Sequence, residues 1–141
     1  KTIAIVSDAQ GSPLAVDVEV SGHHIFGDEP VAQGGKNLGP TPFDLLTAAL
    51  GECTAMTIRW YAMRQRWPIE HVRVEVHHTK KMEAGADTIF DEFSKTIEIV
   101  APDLDDEQRR KLIEIAAKCP IHKTLTGEIR ITTREVSEKV R

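Results

Sequence analysis

The chain carries two cysteines, Cys53 and Cys119, and each stands where its thiol could be put to work. Cys53 lies in the middle of the apolar run from Phe43 to Ala62. Cys119 immediately precedes Pro120 in Cys119-Pro-Ile-His-Lys-Thr-Leu125. Proline is favoured at the first position inside a helix, so Cys119 is expected to be the cap residue of a new helix. Unpaired backbone N–H groups and the positive end of the helix dipole favour thiolate over thiol there. One cysteine in a helix core and one at a helix cap suggest thiol chemistry. Free cysteine is also among the most buried residue types, and plain packing accounts for the same two positions. Both readings stand at this point.

The elements that must position these thiols follow from periodicity. Val16, Val18 and Val20 alternate with Asp17, Glu19 and Ser21, a half-buried strand pattern, so residues 2–7 and 14–21 are expected to form a hairpin. A third short strand is expected over His23–Phe26, before the acidic break Gly27-Asp-Glu-Pro30. The stretch from Gln33 to Pro42 is dense in residues that break regular structure. Thr41 and Pro42 then predict a helix start, with threonine as cap and proline at the first helical position. From Phe43 to about Arg64 only Gly51 weakens the helical pattern, and such a helix spans roughly 33 Å.

Leu46, Ala49, Leu50, Cys53, Met56, Thr57 and Trp60 are expected to share one helix face. The other side is also poor in charge through the first half, so the helix belongs in an interior or between subunits. Cys53 is accordingly expected to be buried or at the floor of a narrow pocket. Trp67-Pro68 ends the helix region, and Val72, Val74 and Val76 alternate as a further strand. A polar turn over Glu83–Asp87 leads to a paired strand over Phe93–Val100. Asp103 to Asp106 opens a second helix with Leu104, Leu112, Ile115 and Ala116 as its core stripe. After the short helix at Pro120, Gly127 leads to an expected last strand with Ile129 and Ile131 on one face. This order predicts one α+β domain over residues 1–141, its helices segregated against antiparallel sheet.

A length of 141 residues suits one domain, since domains most often run to about 100–150. The formal net charge of -4 offers no electrostatic reason to expect nucleic acid or an anionic membrane as partner. No stretch approaches the roughly 18 uninterrupted apolar residues of a membrane span. The basic-then-apolar start from Lys1 is too short for a signal peptide. Two cysteines are too few for a disulfide scaffold, so a cytoplasmic location is expected, with any disulfide transient. A first residue other than methionine suggests a trimmed chain or a part of a longer protein.

Two motifs together resemble the OsmC/Ohr family, the osmotically inducible protein C and organic hydroperoxide resistance proteins. They are Gly34-Gly-Lys-Asn-Leu-Gly-Pro-Thr-Pro-Phe-Asp-Leu-Leu-Thr-Ala-Ala-Leu-Gly-Glu-Cys53 and Cys119-Pro-Ile-His-Lys-Thr-Leu125. The resemblance runs from about Gly22 to the expected last strand. It implies an intertwined homodimer, with antiparallel sheets around two long central helices and two sites built from both subunits. It also implies that Cys53 attacks an organic hydroperoxide to form a sulfenic acid, that Cys119 resolves it as a disulfide, and that a dithiol reductant restores both thiols. No cofactor is implied. The best-studied members add an early-strand arginine and a glutamate ten residues before the first cysteine. Here that position is Phe43, and no arginine precedes Arg59. Asp28-Glu29-Pro30 resembles a divergent branch, some of whose members are fused behind a hydrolase domain.

Candidates for the missing charges are few. Glu29 is one if its loop folds over Cys53, and otherwise it is part of a polar turn before Pro30. Glu52 adjoins Cys53, but helix neighbours point about 100 degrees apart, which makes it an interface or solvent residue. Arg59 lies off the Cys53 face within its own subunit, although a partner could deliver it. His122 stands one turn after Cys119, to stabilise a thiolate, relay a proton, or make a hydrogen bond at the helix start. His23-His24 and His77-His78 each offer only one histidine per strand face, so no bound metal is expected. Trp60, Tyr61 and Trp67 are expected to pack at the helix end. The expected function is thiol-dependent reduction of organic hydroperoxides. The alternative is an OsmC-like small-molecule or lipid-binding protein with structural cysteines.

Overall fold

A computed structural model of the chain describes residues 1–85 and 87–136. The elements run β1 (Ala4–Asp8), β2 (Val16–Val20), β3 (His23–Gly27), a short 3-10 turn (Val31–Gln33), α1 (Pro42–Gln65), β4 (His71–Met82), β5 (Ile89–Val100), α2 (Asp106–Ala116) and α3 (Pro120–Thr126). The protein is α+β with antiparallel sheets. Its chain divides into two compact units, one of residues 1–51 and 75–96, the other of residues 52–74 and 97 onward.

In the first unit β1, β2 and β3 form an antiparallel meander in that order. Val6 faces Val18, and Val18 faces Ile25 across the next pair. Ser21 and Gly22, both with positive φ, make the tight turn between β2 and β3. That is the geometry of a two-residue hairpin whose twist matches right-handed strands.

The loop that follows is organised by Asp28. Its carboxylate is buried and accepts the N–H groups of Glu29, Lys36 and Leu38 and the Ser12 hydroxyl, at 2.8–3.2 Å. Burial pushes this carboxyl up, but the four donors outweigh burial and hold it below its ordinary value. Two glycines are obligatory here. A Cβ on Gly35 would fall on the Glu29 carbonyl, and one on Gly39 would fall on the Phe26 carbonyl. The glycine-rich stretch therefore lies flat against backbone, pinned by one carboxylate.

Thr41 caps α1 as expected. Its Oγ1 accepts the Asp44 N–H at 3.0 Å, and the Asp44 carboxylate accepts the Thr41 N–H at 2.9 Å. The helix runs through Gly51 without interruption. A Cβ at Gly51 would press on Val76 at 3.1 Å, so glycine here admits β4 close to the helix. At the other end Arg66 adopts positive φ, while its N–H and that of Trp67 return to Met63 and Ala62. These bonds satisfy carbonyls that the helix end would otherwise leave open.

The face that α1 buries differs from the one its periodicity suggests. Leu50, Thr54, Ile58 and Ala62 are at most 3% exposed, a row at every fourth residue. Met56 and Trp60, expected on the core face, are 61% and 57% exposed, and Leu46 is also exposed. A helix apolar most of the way round offers several candidate stripes, and only the neighbouring elements select among them.

In the second unit Ile58 and Ala62 meet Ala101, Leu104, Leu112 and Ala116, with Tyr61, Trp67, Ile69, Val72, Ile97 and Ile99 packed around them. The α2 stripe is as predicted, with Leu112 and Ala116 buried and Ile115 half-buried. Asp105 and Gln108 form a reciprocal capping box at its start. Arg109 reaches back to the carbonyls of Ile99 and Ala101. Tyr61 and Trp67 meet edge to face, with centroids 5.7 Å apart.

β4 and β5 form a two-stranded hairpin, and β5 begins at Ile89 rather than at Phe93. Within the expected Glu83–Asp87 turn, Ala86 lies outside the described residues. The expected last strand is not observed: residues 128–136 carry no regular structure. Alternation at Ile129 and Ile131 marks a sequence able to pair, but a strand exists only where a neighbour supplies the ladder. Among the described residues none does.

Candidate thiol site

Two segments of the second unit build the site: the part of α1 from Glu52 onward, which carries Cys53, and the start of α3, capped by Cys119. Cys119 is the N-cap with extended backbone, and Pro120 occupies the first turn, as the Cys-Pro pair predicts. Its sulfur is fully buried and accepts the N–H of His122 at 3.4 Å. Cys53 is half-buried and accepts the N–H of Ile121 at 3.4 Å. Successive backbone donors at the start of α3 thus reach one sulfur each. Both cysteines are free thiols, and their side chains hydrogen-bond one another.

Two threonines complete the surroundings. The Thr54 hydroxyl is fully buried, with its Oγ1 3.5 Å from Cys119 Sγ. The Thr57 side chain hydrogen-bonds Cys53. Burial raises the pKa of Cys53 above the ordinary thiol value. The Ile121 N–H acts against this, the hydrogen bond and charge of Cys119 add to it, and Thr57 lowers it. The net shift is upward, towards the neutral thiol. Burial, the largest of these influences, is opposed by hydrogen bonds from Ile121 and Thr57, neither of which carries a full charge.

Arg59 donates to the carbonyls of Ile69 at 2.8 Å and Glu70 at 3.3 Å, bracing the segment between α1 and β4. His122 contributes its backbone N–H to Cys119. Glu29 belongs to the first unit, where its carbonyl accepts the Asn37 N–H at 2.9 Å. Its neighbour Asp28, passed over in the sequence, is the buried anchor. Glu52 is exposed.

Phe43, ten residues before Cys53, is an aromatic packing residue. Its ring stacks on His78 with centroids 4.9 Å apart, and His78 lies 4.7 Å from Phe93. His78 Nε2 is 2.8 Å from the Asp91 carboxylate, which Lys80 also reaches. His77 pairs with Glu75, and His24 lies between Asp17 and Glu19. Among the described residues no three of His, Cys, Asp and Glu gather as metal ligands.

Thr54 and Thr57 carry no motif that marks them in the sequence as site residues. Thr57 is four residues past Cys53, a spacing that puts two side chains together on a helix. Thr54 gives a weaker signal, a hydroxyl on the row of Leu50, Ile58 and Ala62.

A Cys-Pro cap joined to a helix-centre cysteine is the arrangement that matches a known family: the model for OsmC-like protein matches residues 34–134. The chain belongs to the OsmC-like family. Several solved structures are similar to it. A protein of Psychrobacter arcticus named for osmotic stress induction and a detoxification response is 27% identical, with a TM-score of 0.71 and 88% of each chain covered. An OsmC-like protein of Mycoplasma pneumoniae is 20% identical at a TM-score of 0.74, covering 90% of this chain and 88% of its own. An organic hydroperoxide resistance protein OsmC of Legionella pneumophila is 19% identical at a TM-score of 0.66, with 90% of each covered. No curated protein matches the chain. Family membership associates this OsmC-like protein with redox and peroxide stress. No helix among its described residues is long and apolar enough to cross a membrane.

Proposed function

We propose that this OsmC-like protein reduces organic hydroperoxides through a Cys53/Cys119 thiol–disulfide cycle, working as a cytoplasmic homodimer recycled by a dithiol. The observation that carries this reading is the pairing of the chain's two cysteines. Sixty-six positions apart in sequence, they meet at the start of one helix, each sulfur held by a backbone N–H. Similarity to proteins named for organic hydroperoxide resistance supports the substrate class.

In the cycle the Cys53 thiolate attacks the outer peroxide oxygen. The O–O bond breaks, the alkoxide leaves and takes a proton, and Cys53 becomes a sulfenic acid. The Cys119 thiol then forms the S–S bond and water departs. A dithiol reduces the disulfide by exchange and is itself oxidised. Cys53 is the less buried residue of the pair, so both the peroxide and the reductant meet it first.

A second reading has one observation in its favour: the raised pKa of Cys53, with burial as its largest cause. On that reading the apolar face of α1 binds a small hydrophobic molecule and the cysteines are structural. Turnover of cumene hydroperoxide with a dithiol separates the two. The peroxidase reading expects consumption that disappears in Cys53→Ser. The binding reading expects none above the dithiol alone.

A further inference from the structure

We infer that Thr54 is a positioning residue for the resolving thiol, its buried hydroxyl holding Cys119 Sγ in the orientation that closes the disulfide on Cys53. The inference rests on the peroxidase reading above and deepens it.

Thr54 occupies an apolar row. Leu50 and Ile58 flank it at four-residue spacing, Ala62 follows, and all four are at most 3% exposed. Packing alone would be served there by valine, which has the same shape. A hydroxyl in such a place carries a desolvation cost unless it is hydrogen-bonded. Its contact with Cys119 Sγ, at 3.5 Å, links it directly to the redox pair.

Cys119 has one side-chain torsion to set. The contacts that orient its sulfur include the His122 N–H of α3 and the Thr54 hydroxyl of α1, beside its hydrogen bond with Cys53. A disulfide requires an S–S distance of about 2.05 Å and a narrow range of torsion, so the prior direction of Cys119 Sγ governs how often closure succeeds. The sulfenic acid on Cys53 has two fates: capture by Cys119, or a second oxidation to sulfinic acid. Thr54 biases this partition towards the disulfide. Thr57 instead hydrogen-bonds Cys53 and acts on that thiol itself.

The test is a single-turnover reaction of the reduced protein with cumene hydroperoxide, quenched at intervals. Mass spectrometry then follows sulfenic acid, disulfide and sulfinic acid at Cys53. In Thr54→Val, closure is expected to slow about tenfold relative to sulfenic acid formation, the effect of losing roughly one hydrogen bond. Sulfinic acid should accumulate at peroxide levels the wild type survives. Thr54→Ser, which restores the hydroxyl, should close like wild type, whereas Thr57→Val should slow the first step instead. Thr54→Ala gives the same comparison without a crowding methyl if the valine variant folds poorly.

Wild-type closure matched by both Thr54→Val and Thr54→Ala overturns the role of Thr54 and leaves the peroxidase reading intact. Failure of Thr54→Ser to recover closure while the protein stays folded also overturns it. A wild type that forms no disulfide overturns the peroxidase reading, and the role of Thr54 with it.

Discussion

The backbone N–H of Ile121 donates to the sulfur of Cys53 across 3.4 Å, joining residues 68 positions apart. This bond makes the start of α3 part of the environment of the α1 thiol. It is one of two interactions acting against the burial that raises the Cys53 pKa, the other being the Thr57 side chain. Neither carries a full charge, and burial prevails.

The pH dependence of Cys53 reactivity follows in sign. A raised pKa leaves less thiolate at neutral pH than a free cysteine has. The alkylation rate of Cys53, measured in Cys119→Ser to isolate one thiol, should therefore keep rising through and above about pH 8.5, the free-thiol value. That variant also removes the Cys119 charge, so wild type should lie at least as high. A plateau near pH 6 would reveal a cationic partner delivered to Cys53, with Arg59 of a second subunit and His122 as the first residues to substitute.

Core packing around the site sets a stability expectation. Leu112 is fully buried among Ile58, Ala62, Leu104 and Ala116. Leu112→Ala should cost about 2–5 kcal/mol in denaturant unfolding, from lost burial and the cavity left behind. A cost below about 1 kcal/mol would mean that this cluster is not the core of the second unit.

Asp28 predicts a local acid transition. Its folded-state pKa lies below the ordinary carboxylate value, so the stability it contributes is fully present above about pH 3.9 and is lost as pH falls through the lower folded value. Asp28→Asn removes the charged acceptor of four donors. Limited proteolysis at neutral pH should cut the variant faster between residues 33 and 40. Protection of that segment in wild type should fall on acidification below about pH 3.9, and the variant should lack this step. Equal cleavage of the two proteins at neutral pH would show that the carboxylate does not hold the loop.

Assembly is the fourth expectation. Met56, Trp60 and Met63 leave 57–74% of their surfaces exposed on one helix, an apolar presentation that ordinarily marks a contact surface. Light scattering after size exclusion should give about twice the 15.7 kDa chain mass. A stable monomer at micromolar concentration would contradict the proposed homodimer.

Local chemistry made much of this protein legible before its structure. Thr41-Pro42 and Cys119-Pro120 marked two helix starts because capping depends on a few adjacent residues. The alternation at Val16, Val18 and Val20 marked a strand for the same reason. What escaped were choices made by distant partners. Which apolar stripe of α1 is buried depends on α2 and the adjoining strands, so Thr54 rather than Met56 faces inward. Whether Ile129 and Ile131 join a strand depends on a neighbour that the described residues do not supply. Asp28 and Glu29 differ by one position, and only the packing of the loop decides which carboxylate is enclosed.

If Cys53 and Cys119 form one redox pair, their oxidation is stoichiometric. Fully reduced protein is mixed with one equivalent of cumene hydroperoxide per chain, and free thiols and intact mass are measured together. Both thiols should be lost and a Cys53–Cys119 disulfide formed within one chain, reversed by a dithiol. Two free thiols persisting after prolonged exposure, with the hydroperoxide unconsumed, would contradict the redox pairing.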